Sequence, residues 1–263
     1  MINSWSSYKN WIESTIKGGA QYYYRGQRQT SWKLQTSFHR YSEKTGISML
    51  DYLDRIIPEV NYYVGATENK PIDISNKIEF GSLLARLQHH GFPTPLLDWT
   101  FSPYIAAYFA FKDIDPHKPD ARSITIHMFD FNLWAKSFQQ PLNLRDSVSF
   151  VSAFRPHAKN NPRMIQQMAV TTATNISDMG QYLISRGNDS GNTFLYSATL
   201  PTSERKLVMN ELNLMGINSM TMFPDFDGIC ASMKETYFHN IDVKPFLVPP
   251  PPPLPPLPPL PNV

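Results

Sequence analysis

A single cysteine, Cys230, is all that 263 residues offer for cross-linking. That excludes an internal disulfide framework and a cysteine-based zinc site, and it fits a reducing compartment. Charge of one sign is missing as well: 24 Lys and Arg meet 22 Asp and Glu, a formal net charge of +2. Net charge therefore implies no nucleic-acid partner, although a local basic patch stays open. No apolar run reaches the ~18 residues of a membrane span. The first residues, Met1-Ile2-Asn3-Ser4-Trp5, lack the basic start and apolar stretch of a signal peptide. The expectation is a cytoplasmic protein with no membrane partner; export by systems that read other signals stays open. Internal repeats, glycine-serine linkers and charge blocks are also absent, so nothing divides residues 1–247.

What is present is enough apolar material for one sizeable core, 41% hydrophobic and 13% aromatic residues. Proline is distributed very unevenly: ten of 23 lie between Pro249 and Pro261. Proline fixes φ and removes the amide donor, so residues 248–263 are expected to form an extended polyproline II tail behind a globular body of residues 1–247. Such a rod is the form read by profilin-like, SH3 or WW grooves at 249–261. No basic residue follows Lys244, which favours a profilin-like reader over SH3; the alternative is an inert spacer.

Along the body, Trp5, Tyr8, Trp11, Ile12 and Ile16 space a helix over 4–17. Residues 21–25 read as an aromatic strand ended by Gly26, and 48–64 as a helix kinked at Pro58. Phe80, Leu83, Leu84 and Leu87 predict a helix over 76–90. After Leu96 to Thr100, Ser102 caps and Pro103 opens a buried helix to Lys112. Strands are expected over 123–131, 167–174 and 193–199, a helix over 203–215, a short strand at 220–223 and a turn at 224–228. The irregular alternation predicts an α+β fold, a single mixed domain with a central antiparallel or mixed sheet flanked by helices.

Three clusters carry polar groups that a pure core would not choose. Tyr22-Tyr23-Tyr24-Arg25-Gly26-Gln27 delivers an arginine, whose planar fork suits a phosphate or carboxylate, on an aromatic strand. The bland reading is a surface arginine beside a turn glycine. The segment from Gln88-His89-His90-Gly91 to Asp98-Trp99-Thr100-Phe101-Ser102-Pro103 packs a helix stop, a proline-fixed loop, a strand and a helix start into a short span. His89 and His90 are adjacent and diverge, with no carboxylate at helical ligand spacing, so no metal is expected there. Arg163 to Val170 and Met222 to Gly228 form the third; if its first part is extended, Gln166 and Gln167 face opposite ways and one can enter a cleft.

Together these segments resemble the FRG domain family, named for a Phe/Tyr-Arg-Gly motif: Tyr24-Arg25-Gly26-Gln27, the stretch from Gln88 to Thr100 with Ser102-Pro103 and Ala107-Tyr108-Phe109-Ala110, Arg163 to Gln167, and Phe223 to Gly228. The resemblance spans roughly residues 4–235 in family order. It departs at Pro95, where the family often has Arg, and at Met168-Ala169-Val170, where Gly and Phe are frequent. A weaker resemblance links the layout to the arginine-serine-glutamate class of ADP-ribosyltransferases. By that resemblance Arg25 would hold NAD near its phosphates and Thr100 or Ser102 would brace the nicotinamide side. Gln167 stands in the strand where the class keeps its glutamate, and Asp225, Asp227 or Asp98 would have to substitute. The implied binding set is Arg25, Gly26, Gln27, Gln88, His89, His90 and Asp98, and the implied catalytic set Arg25, Thr100, Ser102 and Gln167, with NAD as substrate and no metal. The expected activity is ADP-ribose transfer to an unknown acceptor or NAD hydrolysis; the alternative is a non-catalytic module that binds a nucleotide or a protein in defence or stress.

Overall fold

Helix α1 (Trp5–Lys17) opens a computed structural model that describes residues 2–17, 22–68, 70–119, 121–155 and 162–239. The proline-rich tail and the expected body boundary at 247 lie outside the described residues. Trp5, Tyr8 and Ile12 fall on one face of α1 and are fully buried.

Six strands, β1 (Tyr23–Gln27), β2 (Leu96–Thr100), β3 (Ser123–Phe129), β4 (Val151–Phe154), β5 (Ala169–Thr174) and β6 (Leu195–Pro201), form one sheet in the order β4-β5-β2-β1-β3-β6. Every neighbouring pair is antiparallel. The helices after α1 are α2 (Ser37–Thr45), α3 (Met49–Asp51), α4 (Ile57–Glu68), α5 (Lys77–His89), α6 (Pro103–Phe111), α7 (Phe131–Ser137), α8 (Pro162–Gln166), α9 (Met179–Ser190), α10 (Arg205–Leu214), α11 (Ser219–Met222) and α12 (Phe226–Phe238).

Side-chain alternation assigns the two sheet faces. On one face, α1, α6 and α10 close over β1, β3 and β6, burying Trp5, Tyr8, Ala106, Leu212 and the strand residues Tyr24, Ile126 and Leu200 in one cluster. Further along the same face, Phe38, Tyr52 and Leu84 pack on Leu96 of β2 and Ala173 of β5. On the opposite face, Trp134 of α7 and Leu183 of α9 cover Leu97, Trp99, Phe129 and Val170. The fold is α+β, with a central antiparallel sheet flanked by helices.

The sheet is not continuous in strength. β1 pairs with β3 at five register positions and β2 with β5 at five, yet β1 and β2 share only Tyr24↔Thr100. Two three-stranded halves therefore meet at a single bridge.

The chain departs from the sequence expectations at several elements. Gly26 does not end β1 but lies within it, because α6 runs so close that a Cβ at Gly26 would stand 2.0 Å from the Ala106 carbonyl oxygen. The irregularity near Pro58 is a π turn over Tyr52–Ile56, where the Ile57 N–H bonds the Tyr52 carbonyl. β3 stops at Phe129 because Asp130 caps α7. The strand expected from Gln167 begins at Ala169, since Gln167 and Met168 form a turn after α8 and Met168 takes φ 46°. The strand expected at 220–223 is α11, begun by a capping box at Asn218. The turn expected at 224–228 is the start of α12, with Asp225 accepting from the Gly228 N–H at 3.0 Å.

Candidate functional site

A cleft of about 350 Å³ opens over the bridge between the two half-sheets. Its floor comes from alternate residues of three strands: Tyr24 and Gly26 on β1, Asp98 and Thr100 on β2, Ala169 and Thr171 on β5. Gln88 and His89 at the end of α5 form one wall, Ala106 and Phe109 of α6 the other, and Arg163, Met164, Gln167 and Phe223 close over it.

Arg25 occupies the opening where β1 and β2 part. Its guanidinium donates to the Asp98 carbonyl at 2.6 Å, a carbonyl on the β2 edge that β1 does not pair beyond the bridge. Its Nε is buried and has no hydrogen-bond partner. Burial lowers the guanidinium pKa from its usual value; Asp98 acts in the opposite direction and the Arg40 charge adds to the lowering. The group stays charged at any physiological pH. A half-buried cationic side chain with a donor hydrogen unused is suited to an anionic ligand.

Facing it, the Asp98 carboxylate is fixed on both oxygens. One accepts from the Gln88 amide, and the other from Thr171 Oγ1 at 3.3 Å. The Gln88 carbonyl accepts in turn from the hydroxyl of fully buried Thr94. The loop that returns from α5 to β2 thus sets the direction of Gln88, and Gln88 sets that of Asp98. Next to it, His89 is held below its ordinary pKa by burial and by the charges of Arg163 and His90, so the neutral ring is favoured.

The structure brings Arg25, Gly26, Gln88, His89, Asp98, Thr100 and Gln167 to one cleft. Thr100 is nearly buried and its hydroxyl accepts from the Ser102 N–H at 3.0 Å. Ser102 does not line the cleft; its hydroxyl accepts from the Ile105 N–H at 3.2 Å and caps α6, which uses an amide that an anion would otherwise meet. Gln27 does not line the cleft but the hollow beyond Gly26, donating to the Lys33 carbonyl at 3.1 Å and accepting from His127 Nε2 at 3.0 Å. His90 is exposed and lines none of the hollows around Arg25. Gln167 reaches the cleft from a turn rather than a strand, and its amide donates to the Met222 carbonyl at 3.0 Å.

Thr94 and Phe109 enter the sequence only as members of the family motifs, without a role of their own, and Thr171 carries no motif at all. Thr171 was within reach, because it alternates with Ala169 and Ala173 on the face that β2 shares. Arg163 stood in the third cluster without a role. It pairs with Asp225 and lies 5.2 Å from the ring centre of Phe223, so it ties α8 to the start of α12 across the mouth of the cleft. Asp225 is consequently committed to Arg163, which pushes its carboxyl below the usual range.

Two further hollows meet at Arg25. One, of about 370 Å³, shares Gln88 and Asp98 with the cleft and continues past Gly91 and Phe92. The other, of about 630 Å³, lies beyond Gly26 and Phe109.

Neither the curated proteins nor the solved structures yield a match to this chain. Comparison with family models does: the matched segment holds Arg25, Gly26, the Gln88–Thr94–Asp98 chain and all of α6, while Arg163, Gln167, Thr171 and Phe223 fall outside it. Residues 20–119 match the family model of the FRG domain, and the chain therefore contains an FRG domain.

Proposed function

We propose that the cleft binds NAD and that the chain breaks the bond between nicotinamide and ribose, passing ADP-ribose to water or to an acceptor. The observation that carries this reading is the juxtaposition, on neighbouring strands of one cleft, of a guanidinium whose Nε has no partner and a carboxylate oriented on both oxygens. Arg25 supplies charge for the diphosphate, and the adjoining hollow beside Gln88 and Asp98 extends the space for a long dinucleotide.

The chemistry needs little more. The glycosidic C–N bond breaks, its electron pair leaves with nicotinamide, and positive charge builds on the ribose C1′ and ring oxygen. A fixed negative charge nearby stabilises that state without reorganising at the moment of reaction. Among the described residues that line the cleft, Asp98 and Asp113 are the carboxylates, and Asp113 is held by Lys112 at 2.8 Å. Asp98 thus takes the place that the resemblance assigns to a glutamate. Water or an acceptor hydroxyl then adds at C1′ and releases its proton. Thr100 and Gln167 shape the cleft, but both already spend a polar group on neighbouring backbone.

The test is incubation of the whole protein with NAD labelled in the adenosine half, alone and with cell lysate. Nicotinamide release or label transfer that Asp98→Asn abolishes, with NAD binding retained, supports the reading. Absence of both release and transfer at saturating NAD rejects it. A second reading, binding without turnover, is favoured by the engagement of both Asp98 oxygens; its signature is a calorimetric NAD isotherm lost in Arg25→Ala with no product formed. The tail at 249–261 is proposed separately as a recruiter of a profilin-like proline reader.

A further inference from the structure

The hollow of about 630 Å³ on the far side of Gly26 has a different composition from the cleft. Arg25, Arg28, Lys33 and Arg40 line it, and Asp113, already held by Lys112, is the carboxylate among its lining residues. In a chain of net charge +2, that gathering is local rather than a reflection of overall basicity. Lys33 pairs loosely with Glu43 at 3.8 Å, and the cations still outnumber the carboxylates around the hollow, an arrangement that favours an anion among them. An independent sign comes from Gln35. It is 7% exposed, and its buried Nε2 has no hydrogen-bond partner although it lines the hollow. At the rim Trp32 is 46% exposed, with the Arg28 guanidinium 5.4 Å from its ring centre.

Cations, an unused amide donor and an accessible aromatic face are the groups that recognise a phosphate joined to a flat ring. We infer that this hollow binds a phosphorylated nucleoside, the phosphate among Lys33, Arg40 and Gln35 and the base against Trp32. Arg25 stands as the partition between this site and the cleft. Arg25 is common to both sites, and Gln35 and Arg40 also line the hollow that extends the cleft, so Trp32 and Lys33, which line this hollow and neither of the other two, distinguish the site from the NAD reading.

Calorimetric titration of the full chain tests it, with adenosine 5′-monophosphate, a short 5′-phosphorylated oligodeoxythymidylate, and adenosine as the control without phosphate. Both phosphorylated probes bind if a mononucleotide suffices, and the oligonucleotide alone binds if the site takes a strand end. Binding weakens with salt. Trp32→Ala and Lys33→Glu, both at exposed positions, each reduce affinity by about tenfold or more while leaving NAD affinity unchanged. The inference is overturned if neither phosphorylated probe binds, if adenosine binds equally well, or if the two substitutions leave probe affinity intact. It is also overturned if they weaken NAD to the same extent, because the hollow would then be the far end of the NAD site. Loss of NAD turnover or binding with probe binding intact would instead reject the proposed function alone.

Discussion

Strand β1 is bound very differently on its two sides. Toward β3 it has a five-position ladder and a close-packed helix α6 above it; toward β2 it has one bridge and then a gap that Arg25 fills. The packed side has its donors and acceptors spent on holding the structure together. The open side keeps a half-buried guanidinium with a hydrogen to spare. Substitutions on the packed side should therefore cost stability, and substitutions on the open side should cost ligand.

The largest effect is expected at Arg205, which is 3% exposed and joins α10 to the end of α6 and to α12. It donates to the Phe111 carbonyl at 3.2 Å and pairs through two nitrogens with Glu235 at 2.7 and 2.8 Å. Arg205→Ala leaves Glu235 without its main partner and should destabilise by about 3–5 kcal/mol, read from urea midpoints. Gly26→Ala comes next, because the added methyl meets backbone rather than a movable side chain; about 3 kcal/mol is expected in the same assay. If either protein unfolds at the wild-type midpoint, the packed side is not packed as described.

Acid should act on both sides, through His127 on β3 and through His39 on α2, which packs on β2. Burial holds His39 and His127 from the ordinary 6.5 down to about 4, the nearby Arg25 charge adding to the effect at His127. The unfolded chain takes up these protons at higher pH than the folded chain, so their contribution is complete above pH 6.5 and is lost as pH falls toward 4. Urea midpoints across that range should fall, and His127→Gln should flatten part of the slope.

On the open side, Arg25→Ala removes one hydrogen bond to Asp98 and also relieves an incompletely paired, half-buried charge. Stability should shift by no more than about 1 kcal/mol in either direction while NAD binding is lost. A large drop in stability would mean that the guanidinium is a structural strut. The smallest effect belongs to removal of residues 249–263, which should leave the melting temperature of the body unchanged and abolish capture by an immobilised profilin-like proline reader.

Much of this architecture can be read from local signals. The spacing of Trp5, Tyr8 and Ile12, the Ser102-Pro103 cap and the alternation of Ile124, Ile126 and Met128 each announce an element that is present. Local signals misled where two structures share one vocabulary. Pro224, Asp225 and Gly228 suit a turn, but Asp225 is equally a helix cap, and α12 follows it. Gln167 looked like strand because Ala169 to Thr174 beyond it is β-prone; only the left-handed Met168 separates the two. Within the site, Arg25, Gln88, Asp98 and Thr100 stand out as polar groups in apolar or tightly turned contexts. The single bridge between β1 and β2 has no local signature, because it depends on how far two strands diverge in space.

Gly26 changes what the Arg-Gly dipeptide signifies. Its second letter is written by a helix backbone that leaves no room for a methyl group, whatever molecule the first letter greets. A chain could lose its chemistry and still be compelled to keep that glycine. Sequences that preserve the glycine but replace the arginine should therefore be sought as intact shells with a silent centre.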